Sequence, residues 1–267
     1  MVRRRFGQHF LTDEAVVERI FATLRLRASD HVLEIGPGTG VLTRRLAREA
    51  ASVAAVEVDR DLVAALRAGG FGDSAAEVDI VQGDALKVDL KPLLGRGGER
   101  PRRVVGNLPY NIATALLERL FRIDAGISDM HFMLQAEVAH RLTASPGSKA
   151  YGRLSVAAQW RCRIDSLFAV EPESFSPPPR VDSAFVRLVP RAEEDRHACD
   201  PDDLDEVLRV AFAGRRKVLG NALKSLAVDW RALGIDPGVR AENLTVDDFV
   251  AIARQGRCGL PGRKEGE

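Results

Sequence analysis

The chain has 267 residues, 45% of them hydrophobic and 29% charged, enough to bury one substantial core and a smaller second body. Lys and Arg total 39 against 38 Asp and Glu, a formal charge of +1. That balance excludes a uniformly basic nucleic-acid coat and an acidic disordered tail, so a polyanion partner has to be met by local patches. No stretch reaches the length of a membrane span, and Arg3-Arg4-Arg5 are not followed by the long apolar run of a secretory signal. Three dispersed cysteines (Cys162, Cys199, Cys258) without a CxxC pair, and five dispersed histidines, predict a reducing, cytoplasmic setting and no metal site.

In chain order, Val16, Val17, Ile20, Phe21 and Leu24 recur at helical spacing behind Asp13, a suitable cap, and predict an opening helix over 13–26. Short apolar runs then alternate with helical segments. Strands are predicted at His31–Ile35, Val53–Val58, Val78–Gln82, Arg103–Val105 and Met130–Leu134, with helices at 40–50, 61–68 and 112–121 between them. This alternation predicts a parallel sheet covered on both faces and joined by right-handed crossovers. Two further runs, Cys162–Val170 and Ser183–Val189, flank the Pro177-Pro178-Pro179 stretch and supply an antiparallel edge. A first domain is therefore expected over 1–190 and a charged linker over 191–201. Helical segments at 203–212, 216–226, 231–233 and 246–254 predict a small all-helical domain over 202–267, frayed after Gly256.

The first strand runs into Gly36-Pro37-Gly38-Thr39-Gly40 and then a helix, a turn that lets backbone N–H groups approach a ligand. The spacing is GxGxG rather than the dinucleotide GxGxxG. The second strand ends at Glu57, about 20 residues past the loop, where a carboxylate can accept hydrogen bonds from ribose hydroxyls. The third ends in Gly83-Asp84-Ala85, a carboxylate suited to an exocyclic amine. Three such features at successive strand ends predict an adenosine-containing cofactor; from this geometry alone NAD stays open.

The fourth strand ends in Val105-Gly106-Asn107-Leu108-Pro109-Tyr110. The proline holds an extended turn, presenting the Asn107 amide oxygen and the Leu108 carbonyl beside an aromatic ring. Such acceptors suit an aromatic amine, a poor nucleophile because its lone pair is delocalised into its ring; hydrogen bonds from its N–H groups favour the pyramidal, reactive nitrogen. An isolated N-x-P-Y turn reads better as a helix cap, and it is the place of this one after a cofactor-like site that favours the amine.

These motifs, with Phe6-Gly7-Gln8-His9-Phe10-Leu11, the stretch from Phe175 to Ser183 and Phe212 to Leu223, resemble the rRNA adenine N6,N6-dimethyltransferase family over nearly the whole chain, in particular its bacterial small-subunit branch. The resemblance implies an α/β, Rossmann-like class I S-adenosylmethionine-dependent methyltransferase with a mostly parallel seven-stranded sheet and a small helical C-terminal domain that binds rRNA. It implies transfer of methyl groups from S-adenosylmethionine to N6 of two adjacent adenines near the 3′ end of 16S rRNA in the 30S subunit or its precursor. By the same resemblance Asn107, Leu108, Tyr110 and Phe175 are catalytic, with Phe175 packing on the adenine opposite Tyr110. His9, Leu11, Gly36, Gly38, Glu57, Asp84 and Asn107 bind the cofactor, and Arg215, Arg216 and Lys217 dock RNA. One departure stands out: the family usually has asparagine where this chain has His9.

Arg3-Arg4-Arg5, Arg100 with Arg102-Arg103, and Arg215-Arg216-Lys217 are the candidate phosphate-binding clusters. Two rival functions use the same core: a macrolide-resistance methyltransferase acting on 23S rRNA, and a ribosome-assembly factor whose binding matters more than its chemistry. Phe212-Ala213-Gly214-Arg215-Arg216-Lys217 resembles the small-subunit branch better, and the retained Glu57, Asp84, Asn107 and Tyr110 speak for catalysis. With no exposed heptad in the sequence, a monomer is expected.

Overall fold

The computed structural model describes residues 8–72, 74, 76–95, 101–123, 126–192, 199–214 and 216–256. The segment Phe10–Leu11 (β1) leads into α1 (Glu14–Leu24), whose Asp13 cap accepts hydrogen bonds from the Ala15 and Val16 amides at 2.9 and 3.3 Å. Such a cap contributes about 1 kcal/mol. There follow β2 (His31–Ile35), α2 (Val41–Glu49), β3 (Ser52–Glu57), α3 (Arg60–Gly69), β4 (Glu77–Gln82), α4 (Lys91–Gly95), β5 (Arg102–Asn107), α5 (Ala113–Leu120) and β6 (Ile127–Gln135). After α6 (Ala136–Leu142) and α7 (Arg153–Arg161) come β7 (Cys162–Val170), β8 (Phe175–Ser176) and β9 (Ser183–Pro190).

Seven strands form one sheet in the order β4-β3-β2-β5-β6-β9-β7, as the class I reading predicted. From β4 to β6 the neighbours are parallel, and β9 is antiparallel to β6. Every residue of the central β2 and β3 is buried, the pattern of strands covered by helices on both faces. A parallel sheet delivers all its carboxyl ends to one edge, so Ile35, Glu57, Gln82 and Asn107 finish side by side. The separate β1–β8 pair, Phe10 against Ser176 and Leu11 against Phe175, escapes sequence reading because two residues show no periodicity.

At the opposite, amino end of the sheet the Arg103 guanidinium bonds Asp129 through Nε at 2.7 Å and Nη2 at 2.9 Å, and Asp30 through Nη1 at 3.2 Å. Arg103 is buried, which corrects its expected place in an RNA-binding cluster: two carboxylates already occupy its fork. Arg3-Arg4-Arg5 and Arg100 lie outside the described residues.

The chain divides into two compact units, one made of the described residues up to Ala139 with Ile164–Pro190, the other of His140–Arg163 with those from Arg191 onward. The expected contiguous domain over 1–190 is interrupted by residues 140–163, which group with the second unit. The excursion 140–163, expected in the first domain, joins the second unit instead because its apolar residues complete that unit's core: Tyr151, Val156, Ala157 and Trp160 pack with Leu204, Leu208, Phe249 and Ile252. That unit further holds α8 (Pro201–Ala211), α9 (Leu219–Ala222), α10 (Trp230–Leu233) and α11 (Val246–Gly256). The single helix expected over 216–226 is instead α9 followed by a 3-10 turn over Lys224–Leu226. Within the expected linker, 193–198 lie outside the described residues and Pro201 already belongs to α8.

Candidate active site

The carboxyl edge of the sheet opens into a cleft of about 280 Å³ lined by residues from all four strand ends and by the N-terminal segment. Gly36 and Gly38 both hold positive φ, +68° and +58°, conformations that side chains rarely adopt. At Gly38 there is a second constraint: a Cβ would meet the Phe10 ring at 3.0 Å. The turn thereby brings β1 down onto the glycine loop, and α2 starts directly behind it.

Glu57 is tied to this loop rather than free beside it. Its Oε2 accepts from the Gly38 amide at 3.1 Å and its Oε1 from the Asp59 amide at 3.0 Å. A carboxylate has about four acceptor positions, so both oxygens keep lone pairs for ribose hydroxyls. Burial raises the Glu57 pKa, with the backbone amides of Asp59, Gly38 and Val58 opposing. Asp84 also lines the cleft; its Oδ1 accepts from the Leu86 amide at 2.9 Å, fixing the carboxylate, while Oδ2 lies 3.9 Å from Lys87 Nζ.

Asn107 Nδ2 donates to the His9 carbonyl at 2.9 Å. That bond sets which way the amide faces, and among the described residues none donates to Oδ1, which is left to accept. The Leu108 amide donates to the Met133 carbonyl at 3.2 Å, anchoring the turn to β6. The Tyr110 hydroxyl shares a 2.6 Å hydrogen bond with Ser183 Oγ, and burial raises its pKa. His9 stacks on Tyr110 with centroids 5.7 Å apart and planes at 27°, and its Nδ1 bonds the Pro177 carbonyl at 2.7 Å, which requires a proton on Nδ1. The imidazole therefore fastens the Tyr110 ring and the proline turn together.

The structure brings His9, Leu11, Gly36, Gly38, Glu57, Asp84, Asn107, Leu108 and Tyr110 to one cleft. Phe175 is the exception and corrects the expected aromatic sandwich. It is 3% exposed and sits in the apolar core with Leu11, Val170 and Phe185, because its pairing with Leu11 turns it inward. Arg216 and Lys217 are exposed in the second unit and Arg215 lies outside the described residues.

Sequence reading missed Glu34, two residues ahead of the glycine loop. It lines the cleft at 1% exposure, and its Oε2 has no hydrogen-bond partner among the described residues. Burial pushes its pKa up to about 7; the nearby Thr43 hydroxyl, short of a regular hydrogen bond, opposes this and Glu57 adds to it. A lone charge in an otherwise apolar strand was the available signal. An orphaned, desolvated carboxylate beside Gly36 fits the ammonium of a methionine moiety, so the donor set matches S-adenosylmethionine end to end. Because the folded pKa lies above the ordinary 4.5, the carboxyl favours folding at low pH, and this contribution is lost as pH rises from 4.5 to about 7. Glu34→Gln is expected to stabilise the ligand-free protein by up to about 3 kcal/mol near pH 8. It should also weaken cofactor binding about 10- to 100-fold, through loss of a charge-assisted hydrogen bond. Melts at two pH values with cofactor titrations check both; a variant no more stable and equally tight-binding would remove Glu34 from the site.

The family profile for ribosomal RNA adenine dimethylase matches residues 1–255. The chain is 48% identical over 257 residues to ribosomal RNA small subunit methyltransferase A of Alcanivorax borkumensis, covering 96% of this chain and 90% of that one. A dimethyladenosine transferase from Plasmodium falciparum superposes with a TM-score of 0.78 at 25% identity, covering 93% and 98% of the two chains. The 23S rRNA methyltransferase ErmE superposes with a TM-score of 0.70, also at 25% identity, covering 93% and 99%.

Proposed function

The chain belongs to the ribosomal RNA adenine dimethylase family, and from that premise we propose how its cleft dimethylates N6 of two adjacent adenines near the 3′ end of 16S rRNA. The enzyme is S-adenosylmethionine-dependent, and the cofactor, when bound, supplies an electrophilic methyl group on a sulfonium. Glu34 and the Gly36–Gly38 turn receive its methionine end, Glu57 its ribose and Asp84 its adenine amine, with His9 and Leu11 closing over it. Tyr110 stacks on the target adenine. In the first transfer Asn107 Oδ1 and the Leu108 carbonyl would accept the two N6 hydrogens and favour a pyramidal nitrogen; in the second, the one remaining N–H would bond to one of them. The proton released goes to solvent, so positioning provides the acceleration. The oriented Asn107 amide, donating to His9 and leaving Oδ1 open, is the observation that carries this reading.

The second unit, with Arg216 and Lys217 exposed, docks the RNA backbone. The substrate is the 30S subunit or a precursor, and the protein works as a cytoplasmic monomer in small-subunit biogenesis. Labelled S-adenosylmethionine offered to small-subunit particles and separately to large-subunit RNA tests the assignment. Dimethyladenosine near the small-subunit 3′ end is the expected product. Label in large-subunit RNA would move the protein to the resistance enzymes, and cofactor binding without transfer to either would make it an assembly factor.

A further inference from the structure

Ser183 is the first residue of β9, held opposite Gln135 of β6, and is fully buried. Its hydroxyl does not satisfy a neighbour in the core; it reaches the phenolic oxygen of Tyr110 at 2.6 Å. Tyr110 is thereby held at its far end by a rigid strand, while the His9 imidazole lies against one face of the ring, itself anchored at 2.7 Å to the Pro177 carbonyl. With one face and the hydroxyl engaged, the remaining face is the one available to a base. A base stacked there must also place its amine at Asn107 Oδ1, so the angle of the ring decides where the nitrogen sits. A tilt of about 20° acting over roughly 6 Å moves the amine by about 2 Å, and ~1 Å of misplacement costs as much as ~10²-fold in rate.

We propose that Ser183 is a positioning residue for methyl transfer: its hydroxyl, with the His9 imidazole on the ring face, sets the plane of Tyr110 against which the target adenine stacks. This rests on the reading of the cleft as an adenine site. Ser183 is not among the residues that line the cleft and acts through the phenol. RNA affinity, dominated by phosphate contacts, and cofactor affinity, set at the other strand ends, do not depend on it.

The test is a double-mutant cycle in the full-length chain, with Ser183→Ala, Tyr110→Phe and the two combined, measuring methyl transfer to small-subunit particles. Each single change is expected to lower kcat about tenfold, with KM for the particle and the cofactor Kd within about twofold of wild type; the combined variant should be no slower than either. Ser183→Thr, which keeps a hydroxyl, should restore most of the rate. Wild-type kcat in Ser183→Ala, or losses that add in the combined variant, would overturn the proposal. Should Ser183→Ala not fold, Tyr110→Phe alone decides, because it deletes the same bond and keeps the ring; a wild-type kcat there overturns it. Tyr110→Ala separates this from the underlying reading. If removing the ring abolishes transfer while Tyr110→Phe is unaffected, only the role of Ser183 fails; if removing the ring changes nothing, the adenine site itself is wrong.

Discussion

Asn107→Ala is expected to lower the methyl-transfer rate by about 10²-fold or more, because it deletes an acceptor that strengthens as N6 becomes pyramidal. The same change removes the Nδ2 bond to the His9 carbonyl, so a smaller loss of cofactor affinity, within about tenfold, accompanies it. Asn107→Asp separates the two parts: the carboxylate still accepts from N6, but no longer donates to His9 and sets like partial charges against each other. Its rate should fall between wild type and Asn107→Ala, with the poorer cofactor affinity of the two variants. Single-turnover transfer, measured at saturating cofactor, is the decisive readout. Unchanged turnover in Asn107→Ala with cofactor bound would remove the amide from the mechanism.

The second large effect is on stability. Arg103 neutralises Asp129 and Asp30 inside the protein, and Arg103→Leu leaves Asp30 buried without a cation and Asp129 with only the half-exposed Arg187 at 3.9 Å, at a cost of about 3–5 kcal/mol. For a chain of this size that lowers Tm by roughly 6–20 °C. Adding Asp129→Leu should recover part of the loss, since removing both charges avoids an unpaired one. The wild-type cluster also carries an acid limit. Burial would raise the Asp129 carboxyl, but His131, with Nδ1 3.5 Å from Oδ1, and Arg103 outweigh it and hold its pKa at about 2. A depressed carboxyl stabilises the fold above its ordinary 3.8, and the contribution is lost as pH falls toward 2. Arg103→Leu should lose much of this acid-dependent loss along with its Tm. The cluster and Asn107 lie at opposite ends of β5, four residues or about 13 Å apart. At low temperature the folded variant should therefore transfer methyl groups at the wild-type rate. A Tm within about 2 °C of wild type would mean the cluster contributes nothing net.

The α/β core, its seven strands and the residues at four successive strand ends are written in the local sequence. Buried parallel strands read as continuous apolar runs, and the turns that end them are chemically distinctive, so Gly36, Glu57, Asp84 and Asn107 are legible without coordinates. What depends on contacts far apart in the chain emerges only on folding. Residues 140–163 complete the helical unit because Tyr151 and Trp160 bury against Leu208 and Phe249, contacts no local pattern encodes. Phe175 turns into the core and Arg103 into an ion cluster, because partners 26 to 164 positions away (Asp129, Leu11) claim them first. Glu34, His9 and Ser183 acquire their roles in the same way. An orphaned carboxylate, a stacked imidazole and a hydroxyl aimed at a phenol are relations between side chains, and these exist only once burial has removed competing water and the sheet has fixed the register.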